Sequence, residues 1–326
     1  MKVKILFLAT ICMALASCTE PYGTGTGNPF NPSPKPTNRY PQTDLGKTIK
    51  SYRAEKIVDV MWDTTFNVTN GLDYFQMNVL TDAGQKLDIY LLKVDPSKGL
   101  DLKVGVSKKT TSESWHEQVL SEMAAEMSTL TKPVYAMVNA DYCDNREPIR
   151  PRGPAHCNGK IIAEGYSQDP YFAHQGLSYV GVTYDGKMTI GPNNEYEDVK
   201  STLKECTGGG IILLMDSVIY DDRVINNLDR DPRTAIGYTS DGIVWVFAVD
   251  GRHKGTEGMT YGEMTSIFKS LGCTAAVNLD GGGSTEMVIR EPITRKIKIC
   301  NWPSDPTDGD GGVERPRPDT WAIVKK

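Results

Sequence analysis

The chain has 326 residues, of which 39% are hydrophobic and 24% are charged, with 31 glycines and 19 prolines. This ordinary globular composition excludes a disordered, a collagen-like or a multi-spanning membrane protein. The formal net charge of −5 also argues against a nucleic-acid partner, because general nucleic-acid binders carry a basic face or stripe.

Residues 1–17 are typical of a lipoprotein signal peptide. Lys2 and Lys4 precede an apolar run, 5–16, that is too short to span a bilayer. The run leads into Leu15-Ala16-Ser17-Cys18, which resembles a bacterial lipobox. Cleavage there leaves Cys18 as the lipidated residue, whereas the alternative is an ordinary secretory leader with an incidental cysteine. The predicted location is a bacterial cell envelope, on the outer membrane or cell surface in a Gram-negative cell.

Residues 18–44 are predicted to be a tether. Six prolines lie between Pro21 and Pro41, and aliphatic residues are almost absent. Proline fixes φ and removes a hydrogen-bond donor, so the segment favours an extended, semi-rigid spacer. A globular region follows, with a strand-rich first part over 45–129 and a second part over 130–326.

Five cysteines remain after the leader and the lipid site, and they are Cys143, Cys157, Cys206, Cys273 and Cys300. Export permits disulfides, and a Cys143–Cys157 bridge could close the loop between them. No CxxC or CxxH spacing occurs, so no zinc site and no other metal or cofactor is predicted. Asp305, Asp308 and Asp310 miss the EF-hand pattern and indicate an acidic loop instead.

Alternation of period two dominates the globular region and predicts strands at 86–94, 102–106, 134–139, 211–215, 243–249, 275–279 and 320–324. Asp185-Gly186 and Asp241-Gly242 predict tight hairpins. Helical spacing predicts helices over 114–130 and over 260–271, the second with a capping box of Thr260 and Glu263. The fold class is therefore α+β, with a mixed, largely antiparallel β-sheet core and a few flanking helices.

Two of these strands end in an aspartate where the backbone turns. Asp250-Gly251-Arg252 follows the first, and Asp280-Gly281-Gly282-Gly283-Ser284 follows the second. Consecutive glycines allow positive φ and close approach, so their N–H groups could form an anion-binding concavity beside the Ser284 hydroxyl. A loose hairpin turn is the alternative, although a turn needs only one or two glycines. Without a Lys-Ser/Thr after the glycines, the loop is not a P-loop.

An ordered set of motifs over roughly 130–325 resembles the phosphodiester glycosidase family. In chain order these are Asn139-Ala140-Asp141-Tyr142, Arg152-Gly153 to Gly159-Lys160, Arg233-Thr234-Ala235-Ile236-Gly237, Asp250-Gly251-Arg252, the capped helix, Asn278 to Ser284, and Glu314-Arg315-Pro316. The resemblance implies a hydrolase that cleaves the bond between a sugar and a phosphodiester at the anomeric carbon, with a phosphorylated carbohydrate as its substrate.

Such a reaction needs a phosphate clamp and a carboxylate at the anomeric carbon. The carboxylate candidates are Asp280 and Asp141, with Glu314 in reserve. The candidates for substrate binding are Asn139, Arg152, Arg233, Thr234, Asp250, Arg252, Gly281, Gly282, Gly283, Ser284 and Arg315. His116, His156, His174 and His253 show no ligand spacing, so surface or capping roles are favoured for them.

A second function remains open, that of a tethered glycan-binding envelope lipoprotein without turnover. A pure binder would usually display exposed aromatic platforms, and the five tryptophans do not cluster. The joint presence of Asp280, the three glycines, Arg233 and Arg315 favours the enzyme.

Replacing Cys18 by Ala is predicted to release the protein from membranes into a soluble fraction, because the modified sulfur would be lost. Fractionation of cells that express each form tests this. Unchanged membrane partitioning of the variant would contradict the lipid anchor.

Overall fold

The computed structural model describes residues 41, 43–52, 56–144, 149–167, 170–253, 255–305 and 311–326. The predicted signal peptide, Cys18 and nearly all of the predicted tether lie outside the described residues, as do Asp308 and Asp310. Among the described residues, no helix is both long enough and apolar enough to cross a membrane.

The described residues form short helices and many strands. The helices are α1 Asp44–Tyr52, α2 Leu120–Met127, α3 Tyr196–Val199, α4 Arg223–Asn226 and α5 Tyr261–Ser270. The strands are β1 Ile57–Thr69, β2 Leu72–Thr81, β3 Lys86–Val94, β4 Leu100–Val106, β5 Val134–Asn139, β6 Ala155–Cys157, β7 Lys160–Ala163, β8 Ser178–Thr183, β9 Met188–Pro192, β10 Leu203–Gly209, β11 Ile212–Met215, β12 Val218–Ile219, β13 Arg233–Thr239, β14 Val244–Val249, β15 Cys273–Asn278, β16 Met287–Arg290, β17 Ile297–Ile299 and β18 Asp319–Lys325.

These strands build three sheets. An eight-stranded sheet has the order β1-β2-β3-β14-β13-β15-β11-β12, and the two five-stranded sheets have the orders β7-β6-β10-β8-β9 and β17-β16-β5-β18-β4. The paired strands of the eight-stranded sheet, β13 with β14 and β13 with β15, run antiparallel, as do β5 with β16 and β5 with β18. The α+β class with a largely antiparallel core is confirmed.

The largest hydrophobic core lies between the three sheets. Val246 comes from the eight-stranded sheet, Val180 from the second sheet and Trp321 from the third, and all three are buried. The Trp321 indole N–H donates to Thr207 Oγ1 at 2.9 Å, which links the second and third sheets inside the core. The other face of the eight-stranded sheet packs against α5 through Phe247 and Phe268. Both faces of this sheet are therefore covered.

Strand and hairpin predictions agree with the structure within a residue or two. β3 and β5 have the predicted bounds, and hairpins at Asp185-Gly186 and Asp241-Gly242 join β8 to β9 and β13 to β14. The helix predicted over 114–130 is too long, because α2 covers only Leu120–Met127. A backbone bridge between Gln118 and Arg317 keeps the preceding residues extended, and Leu130 lies fully exposed beyond the helix end.

The predicted capping box of α5 is present. Thr260 Oγ1 accepts from the Glu263 N–H at 3.2 Å, and Glu263 Oε2 accepts from the Thr260 N–H at 3.0 Å. Thr260→Ala should lower the free energy of unfolding by about 1 kcal/mol because a first-turn N–H loses its acceptor. Thr260→Ser keeps the hydroxyl and should retain most of it. Urea unfolding of both variants measures the difference, and equal stability would contradict the cap.

Candidate active site

One edge of the molecule gathers the ends of strands from two sheets. The carboxyl ends of β14 and β15 lie beside the start of β13, and the carboxyl end of β5 lies beside the starts of β16 and β18. The Asp280 N–H donates to the Ala140 carbonyl at 2.9 Å and so ties the two groups of strands together. The segments singled out in the sequence therefore meet at one place.

The buried Asn139, at the end of β5, joins the two groups of strands at this edge by hydrogen bonds. Its amide nitrogen donates to the Asp280 carbonyl at 2.7 Å, and its oxygen accepts from Thr234 Oγ1 at 2.7 Å and from the Glu286 N–H at 3.1 Å. Asn139 and Thr234, both predicted to bind substrate, are fully buried. Their contacts fix the backbone at both ends of the glycine loop, at Asp280 and at Glu286.

The glycine loop is tightly held. Gly282 has a φ of +60°, which favours glycine, and a Cβ there would lie 2.7 Å from Arg252 Nη1. The Gly282 N–H donates to the Pro232 carbonyl and the Gly281 N–H to Asp280 Oδ1. Two of the three glycine N–H groups are thus used inside the protein, so most of the capacity to bind an anion comes from neighbouring side chains.

Two arginines border this loop. The guanidinium of Arg252 lies against Gly282, and that of Arg315 lies against Gly283 and within 3.5 Å of Ser284 Oγ. Their side chains are 41% and 32% exposed. Each pairs with one aspartate, Arg252 with Asp231 at 2.8 Å and Arg315 with Asp305 at 2.5 Å. Both guanidinium groups can reach an anion that enters from solvent.

Arg233 lies deeper in the same site. Its guanidinium is 4.2 Å from the centre of the Tyr261 ring and donates to the Tyr261 hydroxyl and the Met259 carbonyl. The half-buried His174 lies nearby, with its ring centre 5.4 Å from that of Tyr142, whose hydroxyl accepts from Asn278 Nδ2 at 2.6 Å. Burial and Arg233 lower the pKa of His174 below its ordinary value, which favours the neutral ring. The sequence analysis gave His174 a surface or capping role, and no local pattern marks it.

Asp280 is a partly exposed carboxylate directly before the glycine loop. Its side chain is 14% exposed, and Oδ2 lies 2.8 Å from Nη2 of Arg317, whose side chain is 3% exposed. The same Arg317 nitrogen donates to Cys143 Sγ at 2.7 Å. Arg317 was missed in the sequence, although it stands two residues after Arg315. β18 begins only two residues later, so Arg317 points inward while Arg315 remains at the surface.

Asp141 is buried behind this pair. Its two carboxylate oxygens accept N–H groups from Tyr142 at 2.8 Å and Gly153 at 2.6 Å, and a Cβ at Gly208 would overlap the carboxylate. Burial and the neighbouring Asp319 raise the pKa of Asp141 well above its usual value. Burial likewise raises the pKa of Asp319 to about 7. Asp141 therefore fixes the local backbone and has no open path to a substrate.

Glu314 faces a helix in this structure. Its carboxylate accepts the Ser121 N–H at 2.9 Å and the Ser121 hydroxyl at 2.6 Å, at the start of α2. It also lies against the buried Glu286, and burial together with Glu314 raises the pKa of Glu286 well above its usual value. Glu314 thus caps α2.

Arg152 and Asp250 lie in two further cavities. Arg152 pairs with Asp144 at 2.8 Å and lines a cavity of about 290 Å³ that includes Trp115 and Tyr166 but none of the glycine loop. Asp250 is buried, and its oxygens accept from the Tyr90 hydroxyl and the Trp302 N–H, each at 2.7 Å. Burial raises the pKa of Asp250 to about 7.

The Cys143–Cys157 bridge that the sequence allowed is not formed, because both residues are free thiols. Cys143 faces Arg317, whereas Cys157 lies in β6. Burial raises the pKa of each thiol to about 12. Gly153, which lies between the two cysteines in the chain, donates its N–H to Asp141 Oδ2 at 2.6 Å.

The fold and the site define a β-rich protein with a partly exposed carboxylate beside a glycine loop that two arginines border. Residues 132–324 match the phosphodiester glycosidase family, and the chain belongs to that family. The resemblance read from the ordered motifs is confirmed.

The chain is also similar to a prophage-derived protein and to two solved structures. The SPbeta prophage-derived uncharacterized protein YomE of Bacillus subtilis (strain 168) is 28% identical over 260 residues, 74% of this chain, which spans 37% of that relative's length. The catalytic domain of zebrafish N-acetylglucosamine-1-phosphodiester alpha-N-acetylglucosaminidase, auto-inhibited by its pro-peptide, has a TM-score of 0.61 at 18% identity and covers 89% of this chain and 96% of its own. A hypothetical protein from Synechocystis has a TM-score of 0.57 at 14% identity, covering 81% of this chain and 64% of its own. These structures share the fold.

Gly282→Val is predicted to abolish phosphate binding, because valine is strained at φ +60° and would displace the Arg252 guanidinium. Gly242→Val is the matched control, since Gly242 also has a positive φ, +85°, but lies in a hairpin with nothing within 4 Å. Calorimetric titration with inorganic phosphate should show binding in the wild type and in Gly242→Val only. Equal phosphate affinity in a folded Gly282→Val protein would show that the loop is an ordinary turn and does not bind phosphate.

Stability is predicted to fall as the pH rises from about 4 to 7. Native Asp319 keeps its proton up to about pH 7, whereas an unfolded aspartate loses it near pH 4. The native state therefore binds more protons in this window, and the free energy of unfolding decreases with pH. Asp319→Asn should reduce the slope while keeping an oxygen for the Asp141 N–H. Urea unfolding at several pH values measures it, and an unchanged slope would refute the assignment.

Proposed function

We propose that this protein is a hydrolase that cleaves glycosyl phosphodiesters at the anomeric carbon. The observation that carries the proposal is the placement of the solvent-accessible Asp280 carboxylate directly before a glycine loop bordered by Arg252 and Arg315. Membership of the phosphodiester glycosidase family supports the reaction class.

The chemistry of the phosphate leaving group explains why arginines border the glycine loop. Breaking the bond between the anomeric carbon and the phosphate oxygen releases a phosphate monoester, whose second pKa is about 6. A phosphate monoester needs protonation less than an alcohol does when it leaves. Stabilisation of the negative charge that develops on the phosphate therefore matters most. Arg252 and Arg315 provide forked donors for phosphate oxygens. Arg233 adds positive charge from its more buried position against Tyr261. A bound phosphate would share these guanidinium groups with Asp231 and Asp305.

Asp280 is the carboxylate assigned to the anomeric carbon, as nucleophile or as base for the attacking water. Its backbone is fixed by the Asn139 amide and by the Ala140 carbonyl, and its side chain by Arg317. Such support holds a reacting group in one geometry, which is what proximity catalysis requires. Asp141 is assigned a structural role because it is buried, and Glu314 because its two oxygens accept from the N–H and the hydroxyl of Ser121 at the start of α2.

We propose further that the enzyme is located in a bacterial envelope and acts on phosphorylated glycans there. A lipid anchor at Cys18 and a proline-rich tether would hold the enzyme in a bacterial envelope, close to phosphorylated glycans. The leader and tether sequences support this.

Asp280→Asn should reduce turnover of an N-acetylglucosamine-1-phosphodiester by roughly three orders of magnitude or more, as loss of an essential group does. The variant should still fold and bind phosphate, because the amide keeps the shape of the side chain, but it should be less stable than the wild type because the buried Arg317 loses its carboxylate partner. Asp141→Asn should mainly lower stability. Absence of turnover in the wild type would favour the glycan-binding alternative, and full activity of Asp280→Asn would remove Asp280 from the mechanism.

Arg315→Ala is predicted to lower kcat/KM by roughly 10²- to 10³-fold, because one donor to the developing phosphate charge is lost. The loss should shrink for substrates whose leaving group is already good. Arg315→Lys keeps the charge but not the fork and should be intermediate. Kinetics on two phosphodiesters of different leaving-group pKa test this, and an equal loss on both would contradict a role in leaving-group stabilisation.

A further inference from the structure

A second cavity, of about 380 Å³, shares one segment with the anion site. It is lined by Trp62, Asn78, Lys86, Asp88, Asp250, His253, Gly255 and Thr256. Arg252, which lies against Gly282, stands between Asp250 and His253 in the chain. The segment that supplies one arginine to the proposed phosphate clamp therefore also forms a wall of this cavity.

The remaining walls come from the N-terminal strands. Trp62 belongs to β1, Asn78 to β2, and Lys86 and Asp88 to β3. All four precede residues 132–324, which match the family. The cavity is thus formed jointly by a family segment and by a part of the chain outside the family match, and this combination suits a role in substrate selection.

The polar groups of the cavity are held in place before any ligand arrives. Asn78 Nδ2 donates to Asp88 Oδ1 at 2.7 Å. The Asp250 carboxyl group is fixed by the Tyr90 hydroxyl and the Trp302 N–H. Fixed polar groups around a small cavity bind a ligand with little loss of conformational entropy. The site is therefore preorganised.

The composition of the cavity fits a neutral sugar ring. Trp62 offers an apolar surface for sugar C–H groups, and the Asn78 amide and the two carboxyl groups offer acceptors and donors for hydroxyls. Lys86 and Asp88 both line the cavity and carry opposite charges, which disfavours selection of a strongly charged ligand. A volume of about 380 Å³ lies at the lower end of the range for small-molecule sites, about 300–1,000 Å³.

We propose that this cavity is a second sugar subsite, which binds a neutral sugar of the glycan that carries the scissile phosphodiester. The inference rests on the proposed function for the identity of the substrate. Binding in the cavity would position the segment that carries Arg252, so that remote binding energy assists the reaction at the phosphate. The subsite would make the enzyme prefer extended glycans over a single sugar phosphodiester.

Direct binding tests the subsite without turnover. In the Asp280→Asn background, ligand-observed NMR with mannose, N-acetylglucosamine and their β- and α-linked disaccharides should show saturable binding. Asn78→Ala should weaken it at least tenfold by removing one polar group and releasing Asp88. Lys86→Ala, at an exposed position, provides a second variant that is not expected to disturb folding.

Asn67→Ala is the matched control. Asn67 also donates to an aspartate on the neighbouring strand, Asp73 at 2.9 Å, but it does not line the cavity. Sugar binding should be unchanged in this variant. Binding of none of these sugars, or equal binding in Asn67→Ala and Asn78→Ala, would overturn the subsite.

Kinetics separate the two proposals. Asn78→Ala in the active enzyme should lower kcat/KM about tenfold for a disaccharide phosphodiester and leave a monosaccharide phosphodiester unaffected. An equal effect on both substrates would overturn the subsite while leaving the hydrolase intact. Sugar binding in the cavity by a protein that cleaves neither substrate would overturn the hydrolase instead.

Discussion

The buried guanidinium of Arg317 is the group on which the site depends. It pairs with Asp280 at 2.8 Å, donates to the Cys143 sulfur and opposes the rise in the pKa of Asp319. Burial and the charges of Asp319 and Asp280 raise the pKa of Asp141, and burial and the charge of Asp280 raise that of Asp319. Removing one partner from such a buried pair typically costs about 3–5 kcal/mol, because the other charge is left uncompensated.

Antiparallel pairing explains why this group of charges can exist at one edge. Alternate strands reverse direction, so the end of β15 lies beside the start of β13, and the end of β5 beside the starts of β16 and β18. Motifs far apart in the sequence are thereby brought together by backbone hydrogen bonds. The Asn139 side chain then joins the two groups through Thr234 and Asp280. Loops at the strand ends are left to carry the chemistry.

The roles proposed for the three arginines of the site follow from how deeply each side chain is buried. Arg252 and Arg315 remain partly exposed and can exchange an aspartate partner for a phosphate, whereas Arg317 is enclosed and holds Asp280. The same segment that carries Arg252 also reaches the cavity lined by Trp62 and Asn78. Phosphate recognition and glycan selection would then be mechanically linked through one short stretch of backbone.

The sequence by itself determined seven of the described strands, the two hairpins, the capped helix α5 and the segments that meet at the site, because these depend on periodicity and on local hydrogen bonds. It determined neither the short extent of α2 nor the free state of Cys143, since the Gln118–Arg317 bridge and the Arg317 contact both join distant residues. It also could not rank Asp141, Asp280 and Glu314. Only the tertiary structure decided that ranking, because burial and the partners of each carboxylate depend on strands remote in the chain.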